Sequence, residues 1–201
     1  MQAVCSIEEV VAATKTWLEK AVIGLNLCPF AKPVYLHNRI RYCVSMAQSP
    51  EVLLQDLMSE LRALNEAEPG QCETTLLVHP LVLTAFADYN DFLERADDAV
   101  CELGLEGVIQ IASFHPGYQF EDAGADAIEN YTNRSPYPML HLLRESSVER
   151  AVTAHSDTNA IYQQNIRTLR GLGHEGWRRL WQGESADANA PAQLKTKGSK
   201  R

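Results

Sequence analysis

Apolar positions recur along this chain at two spacings, and the switches between them lay out the elements. From Ser6 onward, Val10, Val11, Thr14, Trp17, Leu18, Ala21 and Val22 fall three or four apart, as on one face of a helix. Ser6-Ile7-Glu8-Glu9 is a capping box for that helix, and Gly24 is its expected stop. Asn26 to Pro33 reads as a loop, because Pro29 and Pro33 interrupt any helical continuation. From Ile40 to Met46 the period becomes two, with Ile40, Tyr42, Val44 and Met46 facing one way, which predicts a strand. Helical spacing returns after Ser49-Pro50 with Leu53, Leu54, Leu57, Met58, Leu61 and Leu64, and Pro69-Gly70 closes that unit.

Thr74–Val78 and Gly107–Ala112 are short, nearly continuous apolar runs joined by a helix carrying Phe92, Leu93, Ala96, Val100 and Leu103 and closed by Gly104. Strand, helix, strand is a βαβ unit, so both strands are expected to run parallel and to be buried on both faces. Each is followed by the same dipeptide, His79-Pro80 and His115-Pro116, which places both histidines at the carboxyl-terminal edge of the sheet, where open α/β folds bind ligands. After an acidic passage from Glu121 to Asn130, Pro138–Leu143 predicts a further strand, antiparallel because its connection lacks helical periodicity. Ser146-Ser147-Val148-Glu149 is a second capping box, Thr158–Arg170 a last long helix ending at Gly171, and His174–Trp181 one or two amphipathic turns. Gln182–Arg201, rich in Ala, Lys, Gly and Ser, is expected to be a disordered polar tail.

These elements predict an α/β fold: one domain over residues 1–181, with a mainly parallel sheet of about four strands, one of them antiparallel, and helices packed on it. The chain has 201 residues, 45% of them hydrophobic, enough for one sizeable core. A net charge of -8 argues against a nucleic-acid partner, which needs clustered Lys and Arg. No apolar run approaches the roughly 20 residues that span a bilayer, so no membrane partner is expected. The five cysteines, Cys5, Cys28, Cys43, Cys72 and Cys101, are widely spaced without a C-x-x-C pair and no export signal precedes them, which points to a reducing cytoplasm. Without that signal, the sequons at Asn130 and Asn133 are chance matches.

The stretch from Ser113 to Glu145 gathers the densest chemistry, and three constellations are candidates. His79, His115 and His141 are potential transition-metal ligands, or else two strand-end residues bonded to backbone and a core histidine. Cys28, in a Pro-flanked loop, is a candidate nucleophile if a cation lowers its pKa, and otherwise a buried small hydrophobe. Arg134 in Asn133-Arg134-Ser135, with Arg41 and Arg144, offers guanidinium forks to a small anionic ligand; alternatively Arg134 pairs with a carboxylate of the Glu121–Glu129 passage. Gly-rich phosphate loops, a G-x-S-x-G elbow and H-E-x-x-H are missing from the sequence.

Gly24-Leu25-Asn26-Leu27-Cys28-Pro29-Phe30-Ala31, Ser113-Phe114-His115-Pro116 and Thr132-Asn133-Arg134-Ser135-Pro136-Tyr137-Pro138 together resemble a bacterial family catalogued only as domain of unknown function 1415. The resemblance runs from the first helix to Trp177 and implies no activity, cofactor or catalytic residue. Two functions are therefore carried from the residues themselves. One is a small cytoplasmic enzyme in which Arg134, with Asn133, Arg41 and Arg144, orients an anionic substrate, His115 moves a proton, and either Cys28 attacks or the histidines hold a metal. The other is a non-catalytic small-molecule-binding or protein-interaction module built from the same groups.

Overall fold

A computed structural model describes residues 6–155 and 158–182. Apart from Gln182, the tail expected over 182–201 lies outside the described residues.

Helix α1 (Ile7–Trp17) starts on the Ser6 cap with both reciprocal bonds of the box present. Gly24 does not stop it. The chain widens instead into a π-helical turn over Leu18–Ile23, in which the Gly24 amide donates to the Glu19 carbonyl five residues back. A β-carbon at Gly24 would sit 2.3 Å from the Lys20 carbonyl oxygen, so glycine is what allows the turn to continue. The loop expected through Pro33 is cut short by helix α2 (Ala31–Leu36). Pro33 falls in its first turn, where an amide has no intrahelical acceptor to lose.

Strand β1 (Ile40–Val44), helix α3 (Pro50–Glu66, capped by Ser49), strand β2 (Thr74–Val78), helix α4 (Phe86–Glu102) and strand β3 (Ile109–Phe114) follow the predicted order. A 3-10 turn over Ile128–Thr132 precedes strand β4 (Met139–Arg144), which runs without a loop into helix α5 (Glu145–His155). Ser146 is thus inside the helix rather than its cap, and Ser147 donates to the Glu73 carboxylate. Helix α6 (Thr158–Arg179) continues past Gly171 and breaks at Gly173, whose φ of 62° and ψ of 175° favour glycine.

The sheet is four-stranded, in the order β1-β2-β4-β3. β1 and β2 pair in parallel; β4 is antiparallel, as expected, and inserts between β2 and β3. Three strands therefore point one way, while only one ladder is parallel. The two strands of the βαβ unit share a direction without touching.

Because successive strand residues face opposite sides, the sheet separates two cores. Leu77, Ile109, Leu140 and Leu142 face α3 and α4. Leu76, Val78 and Met139 face α1, the π-helical turn and α6, through Val10, Trp17, Leu18, Ala21 and Leu169. Among the described residues no helix is long and apolar enough to cross a membrane.

Candidate functional site

Where β3 ends and β4 begins, the irregular 115–138 segment packs against α1 and α6 and leaves a groove of about 440 Å³. Its walls are aromatic: Trp17 from α1, Tyr131 from the 3-10 turn, and Trp177 and Trp181 from the chain beyond Gly173. These include every tryptophan in the protein. Pro116 and Pro136 add rigid apolar surface, and among the described residues Arg134 is the single charged residue of the lining. Two of the segments singled out in the sequence, around His115-Pro116 and Arg134-Ser135-Pro136, thus meet here.

Arg134 is held from several sides. Its Nε–H donates to the Tyr118 carbonyl at 3.1 Å and an Nη2–H to the Ala125 carbonyl at 2.7 Å. The guanidinium lies 4.5 Å from the Tyr131 ring centroid, in cation–π contact. Its own carbonyl accepts the Trp17 indole N–H at 2.9 Å, tying the loop to α1. It therefore grips the acidic passage by backbone rather than by a carboxylate, and among the described residues no acid pairs with it. Glu129, the acid of that passage nearest to Arg134 in sequence, is taken by Arg170 at 2.8 Å. That contact also pins α6 to the 3-10 turn. Lys20 donates to the Leu180 carbonyl at 3.0 Å, which draws the chain bearing Trp181 toward the π-helical turn.

The three histidines are not brought to a common point. His79 and His115 sit at the predicted edge, on the α4 side of the sheet, and both pack on Tyr89, with ring centroids 5.8 and 5.1 Å from it. His141 lies mid-strand on the opposite face, across from Leu76 and Ala112, so the sheet itself stands between it and the other two. Among the described residues no group of three or more His, Cys, Asp or Glu side chains could hold a metal ion.

His79 is fully buried and donates from Nδ1 to the Val82 carbonyl at 3.0 Å; loss of hydration lowers its pKa to about 4. His115 bonds the Leu83 carbonyl through Nε2 at 3.2 Å and accepts the Gly117 amide on Nδ1 at 2.9 Å, a pairing that requires the neutral ring. Desolvation lowers its pKa as well. Leu83, whose carbonyl it holds, has φ of 54°, an unfavourable conformation for a leucine. His115 is thus a positioning residue: it folds the Pro116-Gly117 turn, and that turn presents the Tyr118 carbonyl to Arg134.

Cys28 and His141 share a small apolar hollow of about 40 Å³ with Trp17, Phe30, Leu76 and Phe114. Desolvation raises the Cys28 pKa and lowers that of His141 to about 4, so both are held neutral. This is the reverse of what activates a thiolate.

The remaining arginines also go elsewhere. Arg41 pairs with Glu60 of α3 through two bonds of 2.6 and 3.0 Å. Arg144, only 7% exposed, donates to the Leu64, Ala67 and Cys72 carbonyls and so caps the carboxyl end of α3 at the far edge of the sheet. Asn133 donates to the Ser113 carbonyl at 3.0 Å and joins the loop to β3. Sequence reasoning missed the tryptophans. Trp17 lies on the buried face of its helix, and only the exposure of Trp181, 40%, sets it apart from a core residue.

Residues 9–179 match the family described as Protein of unknown function (DUF1415). No curated protein and no solved structure matches the chain.

Proposed function

The chain belongs to that family, and we propose that it is a small-molecule-binding protein whose ligand is an organic anion held in the groove over Arg134. The observation that carries this reading is a guanidinium with backbone and aromatic partners and, among the described residues, no carboxylate, fixed at the wall of an otherwise apolar groove. With the Nε–Nη2 edge spent on the Tyr118 and Ala125 carbonyls, the Nη1–Nη2 edge is the fork left for carboxylate or phosphate oxygens, and little side-chain entropy is left to lose on binding them. The groove's volume is within the range of small-molecule sites.

Binding is favoured over catalysis because, among the described residues, none that lines the groove is an acid, a histidine or a cysteine. Thr16 and Ser135 donate their hydroxyls to the Ala12 and Tyr137 carbonyls, so neither is set up as a nucleophile. The enzyme that the sequence puts first would need His115 free to exchange a proton, whereas both its ring nitrogens are engaged by backbone groups, and Cys28 as a thiolate, whereas burial raises its pKa in a separate hollow. Cys28, Cys43, Cys72 and Cys101 are free thiols, which is in keeping with a reducing compartment such as the cytoplasm.

Because all three tryptophans line the groove, intrinsic fluorescence reports on its occupancy directly. Titration with a panel of small carboxylates and phosphate monoesters should give saturable changes. Arg134→Gln should weaken them about tenfold or more, and Arg134→Lys should recover part of the loss. Circular dichroism of each variant checks that the loop has not unfolded. A wild-type signal that no anion moves, or a folded Arg134→Gln that binds equally well, would sink the reading.

A further inference from the structure

Resting on the anion-site reading above, we infer that the groove is built for one class of anion: a planar aromatic monocarboxylate, its carboxylate on Arg134 and its ring against the tryptophan walls.

The charge of the lining sets the ligand's charge. Among the described residues Arg134 is the one charged residue of the lining, and one fork matches one carboxylate. A diphosphate or dicarboxylate would bring a second negative charge with no cation to meet it, inside a protein of net charge -8. The hydroxyls of Thr16 and Ser135 already donate within the protein, and the Trp17 indole N–H is taken by the Arg134 carbonyl. A sugar or other polyhydroxylated ligand would thus meet few free donors. Its own hydroxyls would lose hydration without replacement, which weakens binding.

The shape of the walls sets the ligand's body. Trp177 meets Tyr131 edge to face at 4.9 Å and Trp181 at 5.6 Å, a run of rings set roughly at right angles to their neighbours. A flat ring entering such a run stacks on one face while meeting another edge, the geometry that aromatic pairs prefer. The guanidinium is already fixed on the Tyr131 face, so anion and ring positions are set in advance. A flexible aliphatic chain would bury similar area but forgo the ring–ring term and lose more torsional freedom on binding.

Calorimetric titration of the full chain with 2-naphthoate, its saturated analogue decahydro-2-naphthoate and the neutral 2-naphthamide separates the two levels of the argument. Binding of 2-naphthoate about tenfold tighter than of the saturated acid is expected from one to two ring–ring contacts. Trp181→Ala should remove most of that preference and Trp181→Phe restore it; Trp181 is 40% exposed, so neither change should threaten folding. If both acids bind equally, the aromatic class is overturned while the anion site stands. If 2-naphthamide binds as tightly as 2-naphthoate, Arg134 does not select charge and both fall. Failure of all three to bind overturns both.

Discussion

Acid should unfold this protein at a pH where most carboxylates are still charged, and His141→Leu should blunt the effect. His79 and His141 both titrate near 4 in the folded chain, against 6.5 for an ordinary histidine. The unfolded chain therefore takes up protons that the folded chain refuses. Stability from this source is fully present above 6.5, is lost as pH falls from 6.5 toward 4, and is not lost further below that. Between about pH 7 and pH 5 each ring contributes a loss of about 2 kcal/mol, so about 4 kcal/mol for the two. That is a large share of the roughly 5–15 kcal/mol by which domains are stable.

Glu129 and Glu51, whose pKa values the Arg170 contact and the α3 amino terminus respectively lower, lose their contributions only below 4.5, outside this window. In His141→Leu, an apolar side chain replaces a ring that has no hydrogen-bond partner among the described residues and lines an apolar hollow. The variant should match or exceed wild-type stability at pH 7 and lose about 2 kcal/mol less on going to pH 5. Urea unfolding followed by far-ultraviolet circular dichroism across that range measures both. Parallel pH curves for the two proteins would show that His141 titrates normally, and the burial argument would fail.

Arg144→Met should cost about 3 kcal/mol by leaving the α3 carboxyl-terminal carbonyls without their charged donor, while groove binding stays unchanged once the protein is folded. Denaturant midpoints and the fluorescence titration report the two effects separately. Gly173→Ala should destabilise by about 1–3 kcal/mol, because alanine strains at φ 62° and ψ 175°, although no neighbouring atom obstructs its β-carbon. An unchanged thermal midpoint would contradict this. Timed iodoacetamide labelling read by mass spectrometry should modify the exposed Cys101 at least about tenfold faster than Cys28. Preferential labelling of Cys28 would revive the nucleophile.

The relation between sequence and site differs from element to element. The pairing of His79 with His115 was legible because two strands of one βαβ unit end in the same dipeptide, and direction alone brings those ends to one edge. The same reasoning failed for His141, because periodicity tells which residues share a face of a strand but not which way that face turns in the sheet. Arg134 stood out through its Pro-rich loop. That Arg41 and Arg144 are consumed by Glu60 and by the end of α3 depends on contacts 19 to 80 residues away. The π-helical turn was misread at Gly24 because a glycine that stops a helix and a glycine that admits a wide turn look alike in one dimension.

Local features follow from the order of residues alone: the Ser6 and Ser49 caps, the four strands, the amphipathic helices between them, and the segment in which the chemistry gathers. These follow from backbone sterics and from the burial of apolar positions at fixed periods, which act within a few residues. Long-range packing sets the rest: β4 inserts between β2 and β3, the sheet divides the histidines, and Trp17 joins the distant pair Trp177 and Trp181 to wall one groove beside Arg134. Strand order and helix docking are chosen by competing long-range packings of similar local quality, and the total burial that distinguishes them is a property of the whole chain.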